Sequence, residues 1–181
     1  MDTAVGESGA TERPRWVLLI YLIPREPSRY RVAVWRKLQD LGALYLQDGV
    51  AALPEDAVTR EQLEWLQLRV QEAGGEATLW EAQPGTVAEE AELVGAFRSS
   101  REEAYRAIVA EADRIRRKAQ MGAGTLLEQL DKLERAFRVE RRREYFRSPL
   151  RTEAAAALKA ARQAVRVQSR GAEIRGAEEG R

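Results

Sequence analysis

Trp16 to Ile23 is an unbroken apolar run, WVLLIYLI, closed by Pro24 and Pro27. Its length and bulk predict a central β-strand covered on both faces. Proline cannot donate to a sheet ladder, so the strand stops there. Tyr30, Val34, Leu38 and Leu41 then recur at helical spacing, with Arg29, Arg36, Lys37 and Asp40 off the stripe. This predicts a helix capped by Ser28 and ended by Gly42. Ala43 to Gln47 and Val50 to Leu53 read as two short strands joined by Asp48-Gly49, a strong two-residue hairpin turn. Leu63, Leu66, Val70 and Ala73 stripe a second helix, with Thr59 and Gln62 at capping-box spacing and Gly74-Gly75 as its stop. Glu76 to Ala82 is the last strand, Ala77 and Leu79 opposing Thr78 and Trp80. The order βαββαβ is that of a ferredoxin-like fold, an antiparallel sheet with two helices on one face.

After Pro84-Gly85 the period is helical throughout. Thr86/Glu89, Ser100/Glu103 and Thr125/Glu128 each fit the capping-box spacing; the Ser100 pair marks a restart or a helix running through. Ala104, Ile108, Ala112 and Ile115 form one stripe, and Gly122 and Gly124 break it. Leu126, Leu130, Leu133 and Phe137 form the next, and Leu150, Ala154, Leu158, Ala161 and Val165 a third, entered through Ser148-Pro149. The fold class expected is α+β: a ferredoxin-like domain over residues 15–84 and a basic three-helix extension over 85–168. Residues 1–14 and 169–181, poor in large apolar side chains, read as a disordered lead and tail.

Composition narrows the chemistry. The 181-residue chain contains no Cys and no His. Disulfides, thiol nucleophiles, Cys-zinc sites, imidazole bases and His-ligated metals are therefore excluded. Acid–base chemistry would fall to Asp, Glu, Lys or Tyr. No cofactor or metal is expected, and the chain reads as not an enzyme. The polar start carries no secretory signal, and the longest apolar run falls far short of the roughly 20 residues of a membrane span. No membrane association and a cytoplasmic location are expected.

Net charge is +1, but the charge is segregated. Residues 1–97 hold 9 basic and 16 acidic side chains, whereas residues 98–170 hold 19 and 10. An acidic front thus meets a basic helical back. The densest basic stretch is Arg135, Arg138, Arg141, Arg142, Arg143 and Arg147, interleaved with Phe137, Tyr145 and Phe146. Arg116, Arg117 and Lys118 form a second. Clustered arginines can track a nucleic-acid backbone, or they can pair with Glu140, Glu144 or the acidic front. In the front half, Arg25, Arg29 and Arg36, with Arg31 and Lys37, surround a helix start, where anions are favoured; an ordinary solvated helix face is the alternative. The strand-one terminus, Tyr21-Leu22-Ile23-Pro24, has no carboxylate of the kind that small ferredoxin-like nucleases use to hold a metal.

The wording of residues 15–82, from Trp16–Ser28 through Val34-Trp35-Arg36-Lys37-Leu38, Leu41–Val50 and Arg60–Leu66 to Gly74–Ala82, resembles the N-terminal domain of the chromate-resistance protein ChrB. The likeness continues more loosely through Glu140–Pro149 and the alanine-rich helix after it. Family members look like two-domain proteins tied to chromate-induced expression of a chromate-efflux operon, and this chain ends where their second domain would begin. The front domain is also similar in layout to the middle domain of the phenylacetate-pathway repressor PaaX. What the resemblance implies is a transcriptional regulator in chromate resistance, with DNA, a second copy of the chain, and chromate or another oxyanion as partners. The alternative is an interaction or dimerisation module that binds no DNA.

Overall fold

A computed structural model describes residues 13–121 and 126–179. The elements are β1 (Trp16–Leu22), α1 (Ser28–Leu41), β2 (Leu44–Gln47), β3 (Val50–Pro54), α2 (Ala57–Glu72), β4 (Glu76–Ala82), α3 (Val87–Gln120), α4 (Leu127–Arg142) and α5 (Leu150–Glu179). They group into two compact units, one of residues 13–36 and 45–85, the other of 37–44 with the chain from Thr86 onward.

In the first unit a four-stranded sheet has the spatial order β2-β3-β1-β4. β1 pairs antiparallel with both β3 and β4, with Leu19 opposite Ala51 on one side and Leu79 on the other. The apolar run is therefore central, as its composition predicts. The expectation that both faces are covered holds only for its first half. Val17 and Leu19 are buried with Ala51, Leu53, Ala77 and the α2 stripe Leu63, Leu66 and Val70. Trp16 and Ala52, at positions of the other face, are buried too, but Ile20 is 39% and Leu22 70% exposed.

Two local details differ from the sequence pattern. α2 is capped three residues earlier than expected. Its N-cap is Asp56, whose carboxylate accepts the Thr59 amide at 2.7 Å while the Asp56 amide donates to Thr59 Oγ1 at 2.9 Å. Thr59 is thus the third helical residue, buried, its hydroxyl donating to the Pro54 carbonyl at 2.7 Å. Aspartate outcompetes a buried threonine for the cap because its charged oxygen faces the helix start. In α1, Val34 and Leu38 are buried as expected, but Tyr30 is exposed. The hairpin turn needs its glycine twice over. Gly49 has φ 74°, and a Cβ there would lie 2.5 Å from the Tyr21 carbonyl oxygen. Its own carbonyl accepts the Tyr21 amide at 2.7 Å.

The second unit is helical. Tyr105, Ile108, Ala112, Ile115 and Ala119 of α3 form one core with Leu126, with Leu130 of α4 and with Ala154, Leu158, Ala161 and Val165 of α5. The Thr86/Glu89 box closes reciprocally, and α3 runs straight through Ser100. The Thr125 box and the Gly122 and Gly124 break lie outside the described residues. Ser148 Oγ accepts the Leu150 amide at 3.2 Å, so the predicted entry to α5 forms. α5 remains helical to Glu179, beyond the frayed boundary expected at residue 169.

The Tyr105 hydroxyl is buried beside the Glu144 carboxylate. Burial, then the charge of nearby Glu144, pushes this phenol up to about 12 from its usual 10.0. The unfolded chain therefore ionises first as pH rises. Stability is whole below pH about 10 and declines up to about 12. Tyr105→Phe is expected to change neutral-pH stability by about 1 kcal/mol or less, because the lost contact with Glu144 is offset by no longer burying a hydroxyl. Urea titrations across the alkaline range should show a shallower decline in the variant; an identical decline would count against this assignment.

Candidate nucleic-acid interface

α4 is amphipathic by period. Leu130 is its buried residue, Leu133 and Phe137 pack against the core, and Arg135, Arg138 and Arg142 fall together on the far side. All three are exposed, as are Arg141 in the last turn and Arg147 in the connection to α5. None of these five makes an ion pair with any described residue. They form a stretch of guanidinium groups with no ion-paired carboxylate among the described residues.

Arg143 is different. Its Nη2 lies 2.8 Å from Asp40 Oδ1, its Nη1 lies 3.1 Å from Glu140 Oε1, and Nε donates to the Asp40 carbonyl at 3.3 Å. Glu140 also pairs with Arg101. Gly42 stands against this residue, since a Cβ there would meet Arg143 Cβ at 2.8 Å, and its φ of 72° ends α1. Arg143 is thus a structural pairing residue inside the helical unit.

The interleaved aromatics are also spent internally. Tyr145 and Phe146 both meet Phe97 edge-on, with ring centroids 6.0 and 5.9 Å apart. The Tyr145 hydroxyl donates to the Leu41 carbonyl at 2.8 Å, and Phe137 lies 5.8 Å from Tyr105. No stack of rings is left on the α4 surface for bases. What remains on α4 is a cationic surface without rings from this stretch. In the second basic stretch, Arg116 pairs with Asp113 at 3.1 Å, Lys118 is half-buried, and Arg117 alone is exposed without an ion pair to any described residue.

In the first unit Arg25, Arg29 and Arg36 are all exposed. Arg29 folds onto its neighbour Tyr30, 4.9 Å above the ring and 3.2 Å from the hydroxyl. Arg29 and Arg36, two turns apart, share one side of α1, while Arg31 falls on another. Among the described residues, no three His, Cys, Asp or Glu side chains are grouped to hold a metal ion. Nor is any described helix long and apolar enough to cross a membrane.

A protein-family model described as "Protein ChrB, N-terminal" matches residues 31–170. The match starts inside α1 and ends inside α5, so it takes in the helical unit together with most of the sheet. No curated protein matches the chain, and no solved structure does.

Proposed function

The chain belongs to the ChrB N-terminal family, and on that premise we propose that it is a cytoplasmic regulatory protein of the chromate response that contacts nucleic acid through α4. The observation that carries this reading is the set of five exposed arginines, Arg135, Arg138, Arg141, Arg142 and Arg147, without ion-pair partners among the described residues. They sit in a stretch where basic residues outnumber acidic ones by 19 to 10. A cationic stretch of this kind suits contact with phosphates and release of their counterions. The sheet, with its βαββαβ order, we read as ferredoxin-like, a scaffold compatible with many functions. Catalysis is no part of the proposal, because the sequence lacks the thiols and imidazoles that most such sites use.

A titration of the protein with its own upstream DNA, followed by mobility shift, tests this directly. Five phosphate contacts predict a log–log salt slope of about −4.5, a loss of roughly 500-fold in affinity between about 50 and about 200 mM salt. Replacing Arg138 or Arg142 by Ala should reduce the slope by about one each. No binding at the lower salt would remove the nucleic-acid reading.

A second reading is supported by the sheet. Ile20 and Leu22 of β1 and Trp80 of β4 occupy one face and are well exposed, Trp80 at 58%. Such a patch suits burial against another protein surface. In this reading the chain is an interaction or dimerisation module, and Trp80→Ala should lower the mass measured by light scattering. A monomer at every concentration would exclude it.

A further inference from the structure

The first unit contains a cleft of ≈ 460 Å³ that the arginine face of α4 does not use. Its wall is built by the end of β1, one side of α1, and the β2–β3 hairpin. Tyr21, Trp35 and Tyr45 supply aromatic rings, Val32 an aliphatic side chain, Arg31 a guanidinium and Asp48 a carboxylate. Volume and composition match a small-molecule site, mostly apolar with a few convergent polar groups.

Three features go beyond shape. Trp35 is 51% exposed although it is among the largest apolar side chains of the unit. It lies one helical turn from Arg31, so ring and guanidinium are neighbours on the same side of α1. The Tyr21 hydroxyl donates to that of Tyr45 at 3.5 Å, and burial, followed by the interaction with Tyr21, raises the Tyr45 phenol well above its ordinary range. Tyr45 therefore stays a neutral hydrogen-bond donor. Arg31 and Asp48 make no ion pair with any described residue.

An aromatic wall alone would also suit a cation. The charges decide against that. Arg31 belongs to the early part of α1, a helix with no acidic residue in its first turn, so the partial positive charge of the helix start is uncompensated. Arg25 and Arg29 precede it with only Glu26 between them. Donors also outnumber acceptors, with five guanidinium N–H groups and the Tyr45 O–H left over against one carboxylate.

We propose that this cleft binds a planar aromatic ligand carrying an anionic group, the ring against Trp35 and the anion at Arg31 and the Tyr45 hydroxyl. The proposal stands apart from nucleic-acid binding by α4, and either can fail without the other. Two sources share this chemistry, a free aromatic carboxylate and the base and phosphate of a nucleotide, and the probes separate them.

The test is calorimetric titration of the full chain with 2-naphthoate and, separately, with adenosine monophosphate; neutral 2-naphthol is the control. Saturable one-site binding of at least one anionic probe is expected, with 2-naphthol at least about tenfold weaker than 2-naphthoate if the acid binds. Arg31→Gln should weaken the anionic probe about tenfold or more, and Trp35→Ala should remove binding. Arg69→Gln, an exposed charge on α2, should leave it unchanged. Both cleft side chains are exposed, so their variants should keep the wild-type circular dichroism spectrum. Preference for naphthoate identifies an aromatic acid, and preference for the nucleotide a base with its phosphate. No saturation by either anionic probe up to about 5 mM, or wild-type affinity in Arg31→Gln, overturns the proposal.

Discussion

Glu144→Ala is expected to destabilise the helical unit by about 3 kcal/mol. Only 1% of the Glu144 side chain is exposed, and the carboxylate serves both sides of the α4–α5 connection. One oxygen lies 3.0 Å from Arg151 Nη1 on α5, and the other accepts the Ser148 amide at 2.7 Å. Ser148, itself buried, in turn receives the Leu150 amide and so starts α5. Alanine would leave the Ser148 N–H buried without an acceptor and would free Arg151. Arg151 is partly exposed and recovers water, so the cost falls below that of stranding a fully buried charge. Glu144→Gln keeps an acceptor for Ser148 and should lose less. Urea unfolding followed at the helical signal measures both, and a change under about 1 kcal/mol for alanine would show that the connection is held by other contacts.

Leu130→Ala should cost about 3–4 kcal/mol, the usual range for a fully enclosed leucine that leaves a cavity. Leu130 is completely buried, and it is the buried residue by which α4 sits in the core shared by α3 and α5. Leu133 and Phe137 are only partly enclosed and cannot replace it. Because Arg135, Arg138 and Arg142 project from the opposite side of the same helix, the variant should also weaken the proposed nucleic-acid binding at temperatures where the unit loosens. Thermal unfolding and a mobility shift on the same sample check both effects. A melting temperature unchanged within experimental error would mean that α4 is seated by other side chains.

Most elements were legible because their signals are local. The period of Leu126, Leu130, Leu133 and Phe137 reports one helix face, and the run from Trp16 reports a central strand, with no reference to any distant residue. The exposed status of Arg135, Arg138 and Arg142 follows from that same period. Cap choice was less legible, since Asp56 and Thr59 both qualify as caps, and Thr59 is taken by the Pro54 carbonyl and by burial.

Covalent order and composition determine that the chain has no thiol or imidazole chemistry, that strands and helices fall where they do, and that positive charge gathers toward the C-terminal half. Which cations stay available was settled by folding. Arg143 looks like its neighbours in the string of residues, yet it is claimed by Asp40, 103 positions away. Tyr145 and Phe146, placed among arginines as if to stack on bases, are drawn to Phe97. Tyr21, Trp35 and Tyr45 come from a strand, a helix and a hairpin to line one cleft. The reason is physical: periodicity depends on neighbours three or four residues apart, whereas pairing and enclosure depend on which surfaces meet once the chain has condensed.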